Sequence, residues 1–74
     1  MSAVAPSPAA LSACRDLIFE AIQEPLNLAS SYALSATESA FRGSAATLEI
    51  HIRQLRICVV AAIQIYKELD GATP

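Results

Sequence analysis

The sequence predicts an all-α protein: an antiparallel helical hairpin with a proline-kinked first helix, two copies of which dimerise into a four-helix bundle. Three observations carry this reading. Leu48, Ile52, Leu55, Val59, Ala62, Tyr66 and Leu69 recur at alternating steps of four and three, the seam of a helix packed along another helix. Residues 8–24 and 26–42 repeat helical spacing with stripes of their own. Between the two long segments stands Gly43-Ser44, a residue that closes one helix followed by a residue that caps the next. The alternative is a monomeric three-helix bundle in which residues 8–24 fold back at Pro25.

Residues 1–7 read as a flexible tail, followed by a single helical domain over 8–71 and a short tail at 72–74. Ser7-Pro8 is a helix start, with Ser at the cap and Pro at the first helical position, where its missing N–H costs nothing. The first helix, at about 8–24, gathers Leu11, Cys14, Leu17, Ile18, Ala21 and Ile22 on one face, with Phe19 at its margin. Asp16, Glu20 and Glu24 are spaced by four on the other face. Like charges at that spacing repel by a few tenths of a kcal/mol per pair, so this row does not serve the helix itself. It is a candidate acidic docking face for a basic partner, although a plain solvated face explains it more simply.

Pro25 removes a backbone donor and crowds the carbonyl of Ala21. No glycine or turn cluster accompanies it, which favours a kink or a tight junction over a loop. The second helix, at about 25–42, carries a narrow stripe of Leu26, Ala29, Ala33, Ala36 and Ala40. Alanines let helix backbones approach closely and complement a stripe of larger side chains. Serines are weak formers in helix interiors, so this segment depends on packing for its helicity.

The third helix, at about 45–70, is expected to start at a Ser44 cap and to stop at Asp70-Gly71. Leu55, Val59, Ala62 and Tyr66 are the expected core. At about 100° per residue, Ile50, Ile57 and Ala61 fall nearly opposite the seam. A helix that is apolar almost all round is usually buried all round. These three residues, with Leu11 and Ile18 left over where the first helix overhangs the last, are therefore the expected self-association or partner interface.

Composition points the same way. Of the 74 residues 54% are apolar and 16% charged, more apolar surface than a lone two-helix hairpin can hide. With a net charge of −2, no Trp, two Tyr and two Phe, the chain has neither the basic stripe nor the stacking platform of a nucleic-acid binder. Cys14 and Cys58 are too few for a disulfide scaffold or zinc knuckle, and folding back near Gly43 places them apart; reduced, packed cysteines are expected. The longest apolar run, residues 57–63, is far short of the ~20 residues that span a bilayer. The amino-terminal stretch lacks the charged start of a signal peptide. A cytoplasmic protein is expected.

No chemistry-bearing constellation emerges. His51 is the only histidine, at the edge of the seam, and a boundary His bonded to a neighbour outweighs a metal or haem ligand. Glu-x-x-His pairs, glycine-rich phosphate loops and nucleophile elbows are missing from the sequence. The expectation is no enzyme, no metal and no cofactor. The chain reads instead as a small interaction domain, acting as adaptor, accessory subunit or inhibitor through helix packing, as a homodimer or with a partner protein. The rival reading is a bundle carrying an apolar ligand or haem, with His51 and Tyr32 as polar contacts.

Overall fold

The structure, a computed structural model, describes residues 7–72. It contains two helices, α1 over Pro8–Phe41 and α2 over Ala45–Ala72, packed antiparallel as a hairpin. α1 starts where its sequence requires: Ser7 is extended, its Oγ accepts from the Ala10 N–H at 3.1 Å, and Pro8 opens the helix. The helix then runs unbroken through Pro25. The three-helix arrangement is thus not formed, and the expected division into helices at 8–24 and 25–42 is replaced by one helix of 34 residues. The physical reason is placement. Pro25 is half-buried on the side of α1 that faces α2, where packing along the seam outweighs the one backbone hydrogen bond the ring removes.

The corner is a Schellman turn. Gly43 takes φ +70°, its N–H donates to the Ala40 carbonyl at 3.1 Å, and the Ser44 N–H donates to the Ser39 carbonyl at 3.0 Å. Ser44 does not cap α2 through a backbone N–H as its position suggested. Its Oγ instead accepts from the Thr47 hydroxyl at 2.7 Å, while its carbonyl accepts the Leu48 N–H. At the far end α2 does not stop at Asp70-Gly71 but continues to Ala72. The expected tails at residues 1–6 and 73–74 lie outside the described residues.

The seam between the helices is made of small side chains. Among the described residues, Ala29, Ala36 and Ser39 of α1 and Cys58 and Ala62 of α2 are the buried ones, flanked by half-buried Ile18, Ile22, Tyr32, Leu48, His51, Leu55, Ile65 and Leu69. Small side chains permit two helix axes to approach toward the short end of the usual ~8–10 Å range. The cost is a thin core, in which no side chain among the described residues is fully buried.

The rotation of α2 departs from the sequence pattern. Leu48, Leu55, Ala62 and Leu69 face α1 as expected, but the positions between them are His51, Cys58 and Ile65, not Ile52, Val59 and Tyr66. Ile52, Val59 and Tyr66 are exposed. The two seams share every seventh residue, so spacing alone does not separate them. What separates them is the surface α1 offers, a row of Ala and Ser that accepts Cys58 and Ala62 closely, and a polar contact described next.

Candidate functional site

Near the corner, Ser39 and His51 meet across the seam. Ser39 is 5% exposed and its Oγ lies 3.0 Å from His51 Nδ1. The same hydroxyl is 3.0 Å from the Ser35 carbonyl one turn back. A serine hydroxyl has one proton, so it cannot donate to both. When the Ser39 hydroxyl donates to the Ser35 carbonyl, Nδ1–H of His51 donates to Ser39 Oγ; when the hydroxyl donates to Nδ1, the imidazole carries its proton on Nε2. Ser39 also supplies the carbonyl that terminates α1 at Ser44. One residue therefore ties the end of α1, the turn and the first turns of α2 together. The expectation that His51 would be a boundary histidine bonded to a neighbour is met by this pair.

Among the described residues, no group of three or more His, Cys, Asp or Glu is placed to hold a metal ion. Both cysteines are free thiols, Cys14 exposed on α1 and Cys58 buried in the seam. Asp16, Glu20 and Glu24 are all exposed, along the side of α1 turned away from α2. Arg53 pairs with Glu49 at 2.9 Å, an exposed contact one turn apart that contributes at most ~0.5 kcal/mol. No helix among the described residues is long and apolar enough to cross a membrane.

What the structure does concentrate is exposed apolar surface. Of the residues expected at an interface, Ile50, Ile57 and Ala61 are exposed on α2, whereas Leu11 and Ile18 are half-buried on the α2-facing side of α1. Of the three residues expected to overhang and stay wet, Leu11, Leu17 and Ile18, Leu17 is exposed. A second exposed set lies where the sequence pattern predicts core, Ile52, Val59 and Tyr66, joined by Ile63 on α2 and by Phe19 and Leu26 on α1. A signal that points to them is the pairing of Ser39 on the α2-facing side of α1 with His51, a polar contact across the seam that sets the rotation of α2.

No protein-family model, curated protein or solved structure matches the chain.

Proposed function

We propose that this chain is a self-associating helical interaction module, two hairpins forming a four-helix bundle that serves as adaptor, accessory subunit or inhibitor through helix packing. The observation that carries the reading is an imbalance of burial. Among the described residues, the buried apolar set is Ala29, Ala36, Cys58 and Ala62, while thirteen large apolar side chains are exposed. Scattered exposed aliphatics are ordinary on a globular protein, but there they accompany a core of large side chains. Here only small side chains are buried, and the large ones are half-buried beside the seam or exposed.

The magnitudes support the same conclusion. The accessible surface is 5755 Å² for a mass of 7.8 kDa, against about 4,400 Å² for a compact monomer of that mass. The Cα radius of gyration is 17.7 Å, where a compact chain of this length has roughly 11 Å. The hairpin buries about half of what an extended chain exposes, below the ~60% of small domains that fold alone. Association removes the deficit. A bundle of this kind would also display the acidic row of Asp16, Glu20 and Glu24 on its outside, available to a basic partner.

Solution mass by light scattering over a dilution series, with helicity followed in parallel, tests the proposal. The expected result is twice 7.8 kDa at micromolar concentration, with helicity lost as the dimer dissociates on dilution. A monomer that keeps full helicity at every concentration would overturn it.

A further inference from the structure

We infer that the second copy docks on one particular flank of the hairpin, the one formed by Phe19 and Leu26 of α1 with Ile52, Val59, Ile63 and Tyr66 of α2. This rests on the self-association proposed above and adds the surface that performs it. All six side chains are exposed in the hairpin. At about 100° per residue, the four on α2 fall within about 60° of one another, and the two on α1 within about 20°. Both arcs are displaced from their seams in the same rotational sense. For two antiparallel right-handed helices that places them on the same side of the hairpin. The Ser39–His51 contact sets the level, bringing Leu26 alongside Ile63.

The opposite flank is a poorer candidate because its apolar residues are interleaved with polar ones. Ile50, Ile57 and Ala61 share their arc with Glu68, which falls within about 20° of Ile57 and of Ala61, and with Gln54. On α1 the matching residues, Leu17 and Leu28, lie beside Glu24. Burying carboxylates against a second copy of themselves is costly. On the preferred flank the charges sit at the margins: Arg15 and Asp70 share the two arcs only at the open end of the hairpin, with opposite signs, and Arg56 lies about 20° beyond Ile63, so the arcs carry no carboxylate over residues 19–40 of α1 or 52–66 of α2. Aromatic residues, which interfaces favour, contribute at both Phe19 and Tyr66.

The area fits a second copy. Each chain exposes roughly 1,400 Å² beyond a compact monomer of its mass, so two chains together reach the range of obligate homodimers, above about 2,000 Å² in total. The hairpin is only about one helix thick, with Cα extents of 61 × 19 × 12 Å, so a layer laid on this flank completes a two-layer core.

The test compares two alanine substitutions in the full chain, Ile63→Ala and Ile57→Ala. Both side chains are exposed to a similar degree in the hairpin, 47% and 57%, and alanine favours helix, so any difference between them reports the assembly. Dimer dissociation constants would be read from mass against concentration. The expected result is a dissociation constant raised about tenfold or more by Ile63→Ala and changed less than about twofold by Ile57→Ala. The reverse order, equal weakening or no weakening in a wild-type dimer would overturn the assignment of this flank while leaving self-association standing. A wild-type chain that stays monomeric would remove both. Tyr66→Ala, on the same arc, should match Ile63→Ala; a dimer indifferent to it would count against the flank.

Discussion

Ser39 does more than any other residue to define the hairpin. Its carbonyl ends α1, and its hydroxyl lies within hydrogen-bonding distance of both Ser35 and His51. Replacing it by Ala leaves the His51 nitrogen half-buried with its partner removed, a loss on the order of 1–2 kcal/mol. Replacing both residues by apolar ones should cost less than the sum of the single changes, because no polar group is then stranded. A double-mutant cycle on Ser39→Ala and His51→Leu, by denaturant unfolding at fixed protein concentration, measures this coupling. Additive effects would show that the contact carries no energy of its own. Gly43 has a simpler role. Its φ of +70° is the left-handed geometry that a Schellman turn needs, and no atom beyond its chain neighbours lies within 4 Å of where a Cβ would sit, so the demand there is conformational rather than a matter of packing.

At the scale of the helices, the decisive feature is close approach through small residues. Ala36 is buried against α2, whereas Ala46 is exposed near the start of α2. Ala36→Leu should force the helices apart and lower stability by about 1–3 kcal/mol, while Ala46→Leu should change it by less than about 0.5 kcal/mol. Thermal or denaturant unfolding of the two variants under identical conditions checks the contrast; a tolerated Leu at 36 would mean the seam is looser than its residues imply. Pro25 belongs to the same scale. Its ring occupies a seam position of an unbroken α1, so the helix is held through that point by tertiary contact rather than by its own propensity.

For the molecule as a whole, the issue is where the missing core comes from. Cys14 and Cys58 provide a direct readout, since one thiol is exposed and the other buried in the seam. Under native conditions a thiol reagent should modify Cys14 at once and Cys58 only through opening of the hairpin. If the hairpin depends on a second copy, the Cys58 rate should rise as the protein is diluted, and the Cys14 rate should not. A Cys58 rate independent of concentration would indicate a hairpin that stands alone.

By itself the sequence determined the helices, their antiparallel order and the turn at Gly43. Those follow from spacing, from the Ser7-Pro8 start and from a glycine beside a serine, all local and all readable in the chain. It also marked the alanines at 29 and 36 as the close-approach surface of α1. Only the tertiary structure decided that Pro25 is carried inside one helix, because the balance there is between a lost hydrogen bond and contacts with residues far along the chain. It likewise decided the rotation of α2. Leu48, Leu55, Ala62 and Leu69 belong equally to two seams, one completed by Ile52, Val59 and Tyr66 and the other by His51, Cys58 and Ile65. Hydrophobicity favours the first. Close packing against alanines and the Ser39–His51 contact select the second, and that choice turns Ile52, Val59 and Tyr66 outward into the surface we assign to a second copy.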